Sequence, residues 1–542
     1  MTNKKNDSGM PEEPIAEILK QVTGELDEVA LATYFIHERD WFIDQLFWKE
    51  KTKRDAIVNG LTWPIRKRFD PYFVNRTRDR QRLLGKLLEK YGFPGWDESN
   101  IKVVEHHTAH AASAFYGSHY EPEEQVLILT ADGSGDGLSS TASLGTMEGK
   151  ILRMTDYSST RDGSIGEIYS LVTYYLGLRP WNDEFKVMGM APYSRPHAEI
   201  MKGLQRMIQL REGRFEAGEV SAKFAYGELT KLLHRKRFDH ICASVQFWFE
   251  KMMEFWVKYL LEMGYPGKLA AAGGCFMNVK ANSLISRLEK VEDIFIFPSA
   301  GDESTCIGAA MYVYADWCLE HGIHPKKQIR PIGPLYLGPH ANGDALEGMV
   351  KKFGESWSVH REDNVEKLIA QALDDGEIVA RCSGRLEFGA RALGNRTIMA
   401  DARQLDVKVP LNARIKHRDF WMPFAPSVSH EEQYRLIDNP KEIKAPYMML
   451  AFPSREQGRE ELKAAMHPYD FTIRPQVVEK EWNTGYWRVL NEWYQQSKCG
   501  GFLNTSFNLH GYPIVKDERV ALWTMQKCDL DWLVVDNWVV TK

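Results

Sequence analysis

Hydrophobic and polar residues alternate with strand-like and helix-like periods over the first 330 positions of the chain. Residues 125–130 form an apolar run of strand length that ends in turn residues. Apolar residues recur every three or four positions over 238–263, which predicts a long helix with its Trp, Phe and Met side chains in the core. Two strand–turn–helix units are predicted at 268–282 and 293–320. The pattern therefore indicates an α/β protein.

Shorter elements complete this part of the chain. A hairpin over 138–157 is predicted to turn at 148–150, and a helix is predicted over 164–178. The mixed polar segment 183–193 is predicted to be a surface loop. Near the start, the patterns predict a helix over 15–27 and a strand over 28–36. The basic and aromatic segment 48–82 favours a solvated helical face over a grip on RNA or an anionic acceptor.

Composition narrows the class of protein. The chain has 542 residues, 44% hydrophobic and 26% charged, which suits a globular protein of several domains. A net charge of −5 gives no reason to expect nucleic acid binding. No apolar run approaches the roughly 18 residues of a membrane span, and the polar start lacks a signal-peptide core. Seven cysteines without a CxxC pair predict reduced thiols and a cytoplasmic location.

The stretch from Val103 to Gly137 carries the first candidate chemistry. His106 and His110 lie four positions apart in a predicted helix and can bind one metal ion together, whereas His107 points elsewhere. Taken alone, such a pair is more often structural. The sequence DGSGDG that follows the strand adds glycines that let backbone N–H groups approach a phosphate, and aspartates that can hold a metal. A metal site beside a phosphate site is therefore predicted.

Two further turns repeat this arrangement. Gly273 and Gly274 follow the strand at 268 and would form a second nucleotide-facing turn. Asp302 stands at the next strand–helix junction, where the local pattern favours a helix cap over a metal ligand. Three such turns in this order resemble the superfold shared by actin, hexokinase and the heat-shock ATPases, in which two lobes close over a nucleotide.

A proline- and glycine-rich linker over 322–339 precedes a second predicted domain, which starts near Leu335. Its segment 384–418 is dense in arginine, with few acids and several glycines, which favours an anion site over a solvated face. The turns at 472–476 and 504–508 add another arginine and a hydroxyl-rich loop. A helix over 517–526 and a closing strand over 531–540 are predicted.

Eight motifs resemble the O-carbamoyltransferase family of NodU and TobZ, in the family order. They are HHTAHAASAF from His106, DGSGDG from Asp132, EFKVMGMAPY from Glu184, GGCFMN from Gly273, SAGDESTCIGAA from Ser299, GRLEFGARALGNR from Gly384, LNARIKHR from Leu411 and NTSFN from Asn504. The resemblance covers the chain from about residue 28 to the C-terminus. It implies a TsaD-like ASKHA domain over 1–334 and a YrdC-like domain over 335–542.

The resemblance also implies a reaction in two steps. The YrdC-like domain would convert carbamoyl phosphate and ATP, with Mg²⁺, into carbamoyl adenylate and pyrophosphate. The TsaD-like domain would then transfer the carbamoyl group to a hydroxyl of a small-molecule acceptor such as a sugar or natural product. A homodimer is one possible assembly, and no membrane partner is expected.

The family roles carry over to residues of this chain as follows. The implied ligands of Fe²⁺ or another divalent metal are His106, His110, Asp132 and Asp302. The implied carbamoyl adenylate and nucleotide site comprises Asp132, Gly133, Ser134, Gly135, Asp136, Gly274, Asn278 and Arg385. The implied carbamoyl phosphate site comprises Arg391, Lys416, Arg474 and Ser506. The implied catalytic residues are His106, His110, Asp132 and Lys416.

One departure from the family leaves alternatives open. Family members begin with a strand–turn–strand that carries Gly-Ile-Asn and His-Asp-Ala-Ser patterns, and nothing before residue 27 resembles it. The expectation is that this hairpin is missing or altered. A catalytically impaired nucleotide- and metal-binding protein is therefore one alternative. A tRNA threonylcarbamoyl transferase-like enzyme is another, although the fused arginine-rich domain and the acidic net charge count against it.

Overall fold

The computed structural model describes residues 29–32, 78–416 and 418–542. These residues form two compact units, the first ending at Ile332 and the second running from Gly333 to Lys542. Sequence analysis puts the boundary after residue 334. The predicted helix over 15–27, the expected loss of an N-terminal hairpin and most of the segment 48–82 lie outside the described residues. Part of the predicted strand over 28–36 is described, as a strand at Ala30–Ala32.

The first unit is built around a mixed five-stranded sheet with the strand order β5-β4-β3-β8-β9. Its strands β3, β4 and β5 are antiparallel neighbours, whereas β8 and β9 run parallel to β3. The strands of this unit are β1 (Ala30–Ala32), β2 (Lys102–Val104), β3 (Val126–Gly135), β4 (Leu138–Gly145), β5 (Ile151–Thr160), β6 (Ile208–Arg211), β7 (Arg214–Ala217), β8 (Lys268–Ala272) and β9 (Asp293–Ile296).

No helix in the described part of the chain is long and apolar enough to cross a membrane. The first unit contains helices of very different lengths. They are α1 (which includes residues 78–90), α2 (His106–Gly117), α3 (Ile165–Tyr175), α4 (Glu184–Met190), α5 (Ala198–Met207), α6 (Tyr226–Leu233), α7 (Phe238–Glu262), α8 (Val279–Ser286), α9 (Thr305–Glu320) and α10 (Pro325–Gln328). The predicted core helix is α7. Its Trp248 and Trp256 side chains are buried as expected, whereas Phe247 and Phe255 are exposed, contrary to the prediction, because they lie on the solvent face of the helix.

Two predicted element boundaries in the first unit are wrong. The strand predicted to end near Thr130 continues to Gly135, so DGSGDG is the end of a β-hairpin whose two-residue turn is Asp136-Gly137, with φ of 48° and 85°. An Asp-Gly pair suits this turn because both positions need a positive φ. The predicted loop 183–193 begins with helix α4, because Val187, Met188 and Met190 are buried and tertiary packing overrides the polar pattern.

The second unit contains an eight-stranded mixed sheet with the strand order β10-β19-β18-β11-β12-β17-β13-β16. The strands of this unit are β10 (Ser358–Arg361), β11 (Val379–Cys382), β12 (Arg396–Ala400), β13 (Ala425–Ser429), β14 (Phe452–Pro453), β15 (Thr472–Ile473), β16 (Gln476–Val478), β17 (Gly501–Ser506), β18 (Trp532–Val535) and β19 (Trp538–Thr541). Of these, β14 and β15 pair in a separate two-stranded sheet. The closing strand predicted over 531–540 is in fact a hairpin. Asp536, with a φ of 50°, forms its turn.

The α-helices of four or more residues in the second unit are α11 (Val365–Asp374), α12 (Gln433–Leu436), α13 (Glu456–Glu461), α14 (Thr484–Ser497) and α15 (Glu518–Lys527). Side chains of α11 and α14 share one apolar core with the sheet, in which Tyr486, Trp493 and Phe502 are fully buried. A single turn of π-helix over Leu411–Lys416 interrupts this regular structure. Such turns are rare and occur often at functional sites.

Candidate metal centre and anion site

Helix α2 presents the two predicted histidines from a well-fixed N-terminus. The Glu105 carboxylate accepts hydrogen bonds from the backbone N–H groups of His107 and Thr108, at 3.0 and 2.8 Å. The Asp136 carboxylate accepts another from the N–H of His106, at 2.8 Å. These acceptors satisfy donors that a helix leaves open at its first turn, and negative charge is favourable there. Asp136, predicted to face a nucleotide, thus orients the histidine helix.

Four side chains converge where the strands β3 and β9 end. His110 Nε2 lies 3.4 Å from Asp132 Oδ2 and 3.6 Å from Asp302 Oδ1. His106 Nε2 lies 3.6 and 3.7 Å from the same two oxygens. One ligand atom from each of the four residues lies within 4.8 Å of the other three. The structure therefore brings together all four residues of the implied metal-binding set.

These residues fit a divalent cation on their own geometry. Both ring nitrogens of His110 are buried, and Nε2 faces Asp132 and Asp302 without a hydrogen bond of ideal geometry to either. Metal–ligand bonds of about 2.1 Å place neighbouring ligand atoms roughly 3.0–3.5 Å apart, close to the spacing found between His110 and the two carboxylates. Imidazole and carboxylate ligands suit Fe²⁺ and other first-row metals. A cation between these groups would bind the His110 imidazole and both carboxylates directly.

The pKa shifts within the cluster also favour a bound cation. Burial acts to lower the pKa of His110, but Asp132 and Asp302 outweigh it and raise that pKa to about 9. Burial acts to raise the pKa of Asp132, yet His106 and His110 hold it well below its usual range. The site therefore favours positive charge among its carboxylates. A bound cation can supply that charge in place of a proton.

His107 is separate from this cluster, as its position in the sequence predicts. Its Nδ1 lies 2.8 Å from Thr130 Oγ1, which in turn lies 2.7 Å from Thr141 Oγ1. Burial lowers the pKa of His107 to about 3, so the ring stays neutral. It packs behind the four-residue cluster as a core residue.

Asp302 lies in a single 3₁₀ turn, Asp302–Ser304, ahead of α9. Its carboxylate caps neither that turn nor α9. The side chain is 48% exposed, whereas His110 is fully buried. The local preference for a helix cap is therefore wrong, and Asp302 forms the open side of the cluster.

The glycine-rich turns hold Asp132 in place. Gly133 N–H donates to Asp132 Oδ1 at 2.6 Å, and Gly274 N–H donates to Asp132 Oδ2 at 3.2 Å. A Cβ at Gly135 would lie 2.0 Å from the His106 ring, so only glycine fits there. Ser134, between them, is buried in β3. The glycines predicted to face a phosphate thus fix the orientation of Asp132, a candidate metal ligand.

Asn278 is held in a partly buried amide pair. It exchanges side-chain hydrogen bonds with Gln246 at 2.9 and 3.0 Å, and its Oδ1 caps α8 by accepting from Ala281 N–H at 3.1 Å. Tyr169 donates its hydroxyl to the same Gln246 at 2.7 Å. Sequence reasoning singled out Asn278 but not its partner, which lies 32 residues away on α7.

Several arginines of the second unit have structural partners. Arg385 Nε donates to the carbonyl oxygen of Gly338 at 2.9 Å. The Arg396 guanidinium is fully buried and donates to backbone carbonyls, among them that of Ser383 at 2.9 Å. Arg403 binds both carboxylate oxygens of Asp401. The structure thus gives Arg385, predicted at the nucleotide site, contacts that organise the chain.

A second group of arginines behaves differently. Burial, with the neighbouring charge of Arg391, lowers the pKa of Arg418 to about 10. Burial and the charges of Arg391 and Arg418 hold the pKa of Arg474 well below its usual range. Three guanidinium groups so arranged repel one another, which a bound polyanion would relieve. Sequence reasoning assigned Arg391 and Arg474 to this site but gave Arg418 no role.

Lys416 joins the hydroxyl-rich turn after β17. Its side chain is 2% exposed, and its Nζ donates to Asn508 Oδ1 at 2.8 Å and to Ser506 Oγ at 3.1 Å. Arg418 reaches the same segment through Thr505 Oγ1, at 3.2 Å. Lys416, Arg418 and the turn at 504–508 therefore form one neighbourhood. The closeness of Arg418 to Lys416 in sequence was the available signal for it.

Both halves of the chain match family models of one class. Residues 1–311 match the carbamoyltransferase N-terminus, and residues 370–542 match the carbamoyltransferase C-terminus. The chain belongs to the carbamoyltransferase family and is an enzyme of that family. The resemblance read from the motifs is confirmed.

Relatives agree with this assignment. The chain is 30% identical to the uncharacterized protein MJ1058 of Methanocaldococcus jannaschii, over 85% of this chain and 77% of that protein. It is 33% identical to the nodulation protein NolNO of Sinorhizobium fredii, over 85% of this chain and 66% of that protein, just under two thirds of its length. It is 26% identical to a 3'-hydroxymethylcephem-O-carbamoyltransferase of Amycolatopsis lactamdurans, over 51% of this chain and 49% of that protein.

Proposed function

We propose that this chain is an ATP-dependent O-carbamoyltransferase that works in two steps at its two unlike centres. The second unit forms carbamoyl adenylate, and the first unit transfers the carbamoyl group to a hydroxyl of a small molecule. The observation that carries this proposal is the combination, in one carbamoyltransferase chain, of a four-residue candidate cation cluster with a group of partly buried arginines.

The first step joins two polyanions. Carbamoyl phosphate loses its phosphoryl group to water as phosphate. The carbamate oxygen that remains attacks the α-phosphorus of ATP, and pyrophosphate leaves. Arg391, Arg418 and Arg474 offer guanidinium forks to the phosphate oxygens. Lys416, held by Ser506 and Asn508, adds a point charge to the same neighbourhood. Mg²⁺ accompanies the nucleotide.

The second step exchanges one oxygen for another at the carbamoyl carbon. The acceptor oxygen forms the new C–O bond, the bond to the adenylate phosphate breaks, AMP leaves and the hydroxyl proton passes to solvent. A divalent cation held by His106, His110, Asp132 and Asp302 would supply Lewis acidity for this exchange. Glu105 and Asp136 hold the N-terminus of the helix that carries the two histidines.

We propose a different domain type for each of the two units. The sheet of the first unit, with three antiparallel strands and then two parallel ones, supports an ASKHA-type, TsaD-like domain. The mixed eight-stranded sheet of the second unit is compatible with a YrdC-like domain.

Isotope exchange tests the first step. Purified protein with Mg²⁺ is expected to exchange labelled pyrophosphate into ATP only when carbamoyl phosphate is present. Arg474→Lys keeps the charge but removes the fork, and is expected to slow the exchange. Arg361→Ala, at an exposed arginine of the same unit, serves as the matched control and should leave it unchanged. Absence of carbamoyl-phosphate-dependent exchange would refute the proposal.

A further inference from the structure

Trp181 is an exposed tryptophan in an unfavourable backbone conformation. It lies in the connection between α3 and α4, with 55% of its surface exposed. Its φ is 60°, in the left-handed region that glycine and asparagine occupy readily and bulky residues avoid. A strained residue that gains nothing from burial points to a role for its side chain.

The surrounding turn holds this conformation from several sides. Asp183 N–H donates to the Arg179 carbonyl at 2.9 Å, and Arg179 N–H donates to the Asp183 carboxylate at 3.0 Å. Trp181 N–H donates to Glu184 Oε1 at 2.6 Å. Ser170, on α3, donates its hydroxyl to the same oxygen at 2.8 Å. The backbone at Trp181 is thus tied to two helices.

The indole lies beside the candidate metal centre. A Cβ built on Gly133 would lie 3.9 Å from Trp181 Nε1. Gly133 directly follows the metal ligand Asp132 and donates its N–H to that carboxylate. The nitrogen edge of the indole therefore faces the hairpin that carries Asp132. Phe185 follows Trp181 by four residues, and its ring is also 37% exposed.

We propose that Trp181 is a specificity-determining residue for the acceptor and forms an aromatic wall beside the metal centre. This inference rests on the proposed function, because it concerns the molecule that receives the carbamoyl group. An indole offers a broad apolar face together with one N–H donor. It suits a neutral, ring-shaped alcohol that stacks on the face and directs its hydroxyl towards the cluster. The arginine cluster, by contrast, suits the polyanionic substrates of the first step.

The test compares two probe acceptors in the full chain with ATP, carbamoyl phosphate, Mg²⁺ and Fe²⁺. Methyl β-glucoside is the ring-shaped alcohol, and glycerol is the acyclic one. Trp181→Ala is expected to raise the KM for methyl β-glucoside by about tenfold, the value of one lost aromatic contact, and to leave the KM for glycerol unchanged. Trp181→Phe should restore most of the difference. Phe255→Ala removes a comparably exposed ring, 51% exposed, and should change neither KM.

Two further measurements keep the outcomes distinct. Trp181→Asn removes the ring but tolerates the left-handed backbone, so it separates loss of stacking from misfolding of the turn. Pyrophosphate exchange reports the first step and should be unchanged in every Trp181 variant. A wild-type enzyme that exchanges pyrophosphate but has the same KM for glycerol as for methyl β-glucoside would overturn the role of Trp181. A wild-type enzyme that exchanges pyrophosphate but carbamoylates neither probe would also overturn it. Equal KM changes for both probes, or none, would also overturn it. Loss of exchange in the wild type would refute the proposed function instead.

Discussion

The cation cluster of the first unit and the arginine cluster of the second differ in the signs of the charges that they bring together. The first sets two imidazoles against two carboxylates around a common centre, with nitrogen–oxygen distances of 3.4–3.7 Å. In the second, burial and then the like charges of Arg391 and Arg418 hold the pKa of Arg474 well below its usual range. Mixed signs around a gap suit one small cation, whereas like signs suit a large polyanion. The difference predicts that each centre responds to its own ligand and can be disabled alone.

The largest expected effect is the loss of transfer without loss of adenylation. Asp132→Asn keeps the shape of the side chain but removes a charged ligand that faces both histidines. Carbamoyl transfer to an acceptor is expected to fall by roughly 10³-fold, the size of a lost transition-state charge contact. Pyrophosphate exchange should persist. Asp156→Asn, at an exposed position on β5, is the control. Equal loss of both reactions would contradict the separation of the two centres.

Arg474→Met should have the opposite pattern. Pyrophosphate exchange is expected to fall by about 10²-fold, because one fork of the anion cluster is missing. The free energy of unfolding without ligands should not decrease, since an apolar side chain of similar length relieves the repulsion from Arg391 and Arg418. Urea unfolding measures this. A clear loss of stability in the variant would show that Arg474 is a structural residue like Arg396.

The two centres should also respond separately when a ligand stabilises the folded protein. At a free metal concentration a hundred times its Kd, Fe²⁺ should stabilise the folded protein by about 2.7 kcal/mol, and chelation should reverse the effect. His110→Ala is expected to abolish the response to metal but keep the response to ATP. Arg474→Met is expected to do the reverse. Thermal unfolding of the three proteins with each ligand gives the result, and a shared loss of both responses would contradict it.

The smallest expected effect concerns the helix that carries the histidines. Glu105→Ala removes the N-cap of α2 and should cost about 1 kcal/mol of stability. It should also weaken metal binding by roughly tenfold, because the carboxylate orients the helix of two ligands. Asp517→Ala removes a comparable cap from α15 in the other unit. That control should lose similar stability while its metal affinity stays constant.

The sequence predicted regular elements well where a single period dominates. The helices over 238–263 and 164–178, and the strand–turn–helix over 268–282, correspond to α7, α3 and the segment from β8 to α8. It failed where packing or turn geometry decided the outcome. The polar segment 183–193 begins with a helix because its apolar residues are buried, and the predicted closing strand folds back at Asp536.

In the candidate site, too, local sequence predicted some features and tertiary packing decided others. Composition alone indicated an anion site in the arginine-rich segment, but it could not separate Arg385, Arg396 and Arg403, which contact carbonyls or carboxylates, from the mutually repelling cluster. Guanidinium groups look alike in sequence. Their roles depend on which acceptors the fold places within reach.

By itself the sequence determined the pairing of His106 with His110, because residues four apart on a helix share a face whatever surrounds them. It also determined the family, through motifs that retain their order. Only the tertiary structure decided that Asp132 and Asp302, 170 positions apart, face both histidines. Their approach depends on parallel pairing of β3, β8 and β9, which brings the ends of distant strands to one edge of the sheet. Spacing on a helix is local geometry, whereas contact between strand ends is a property of the whole folded sheet.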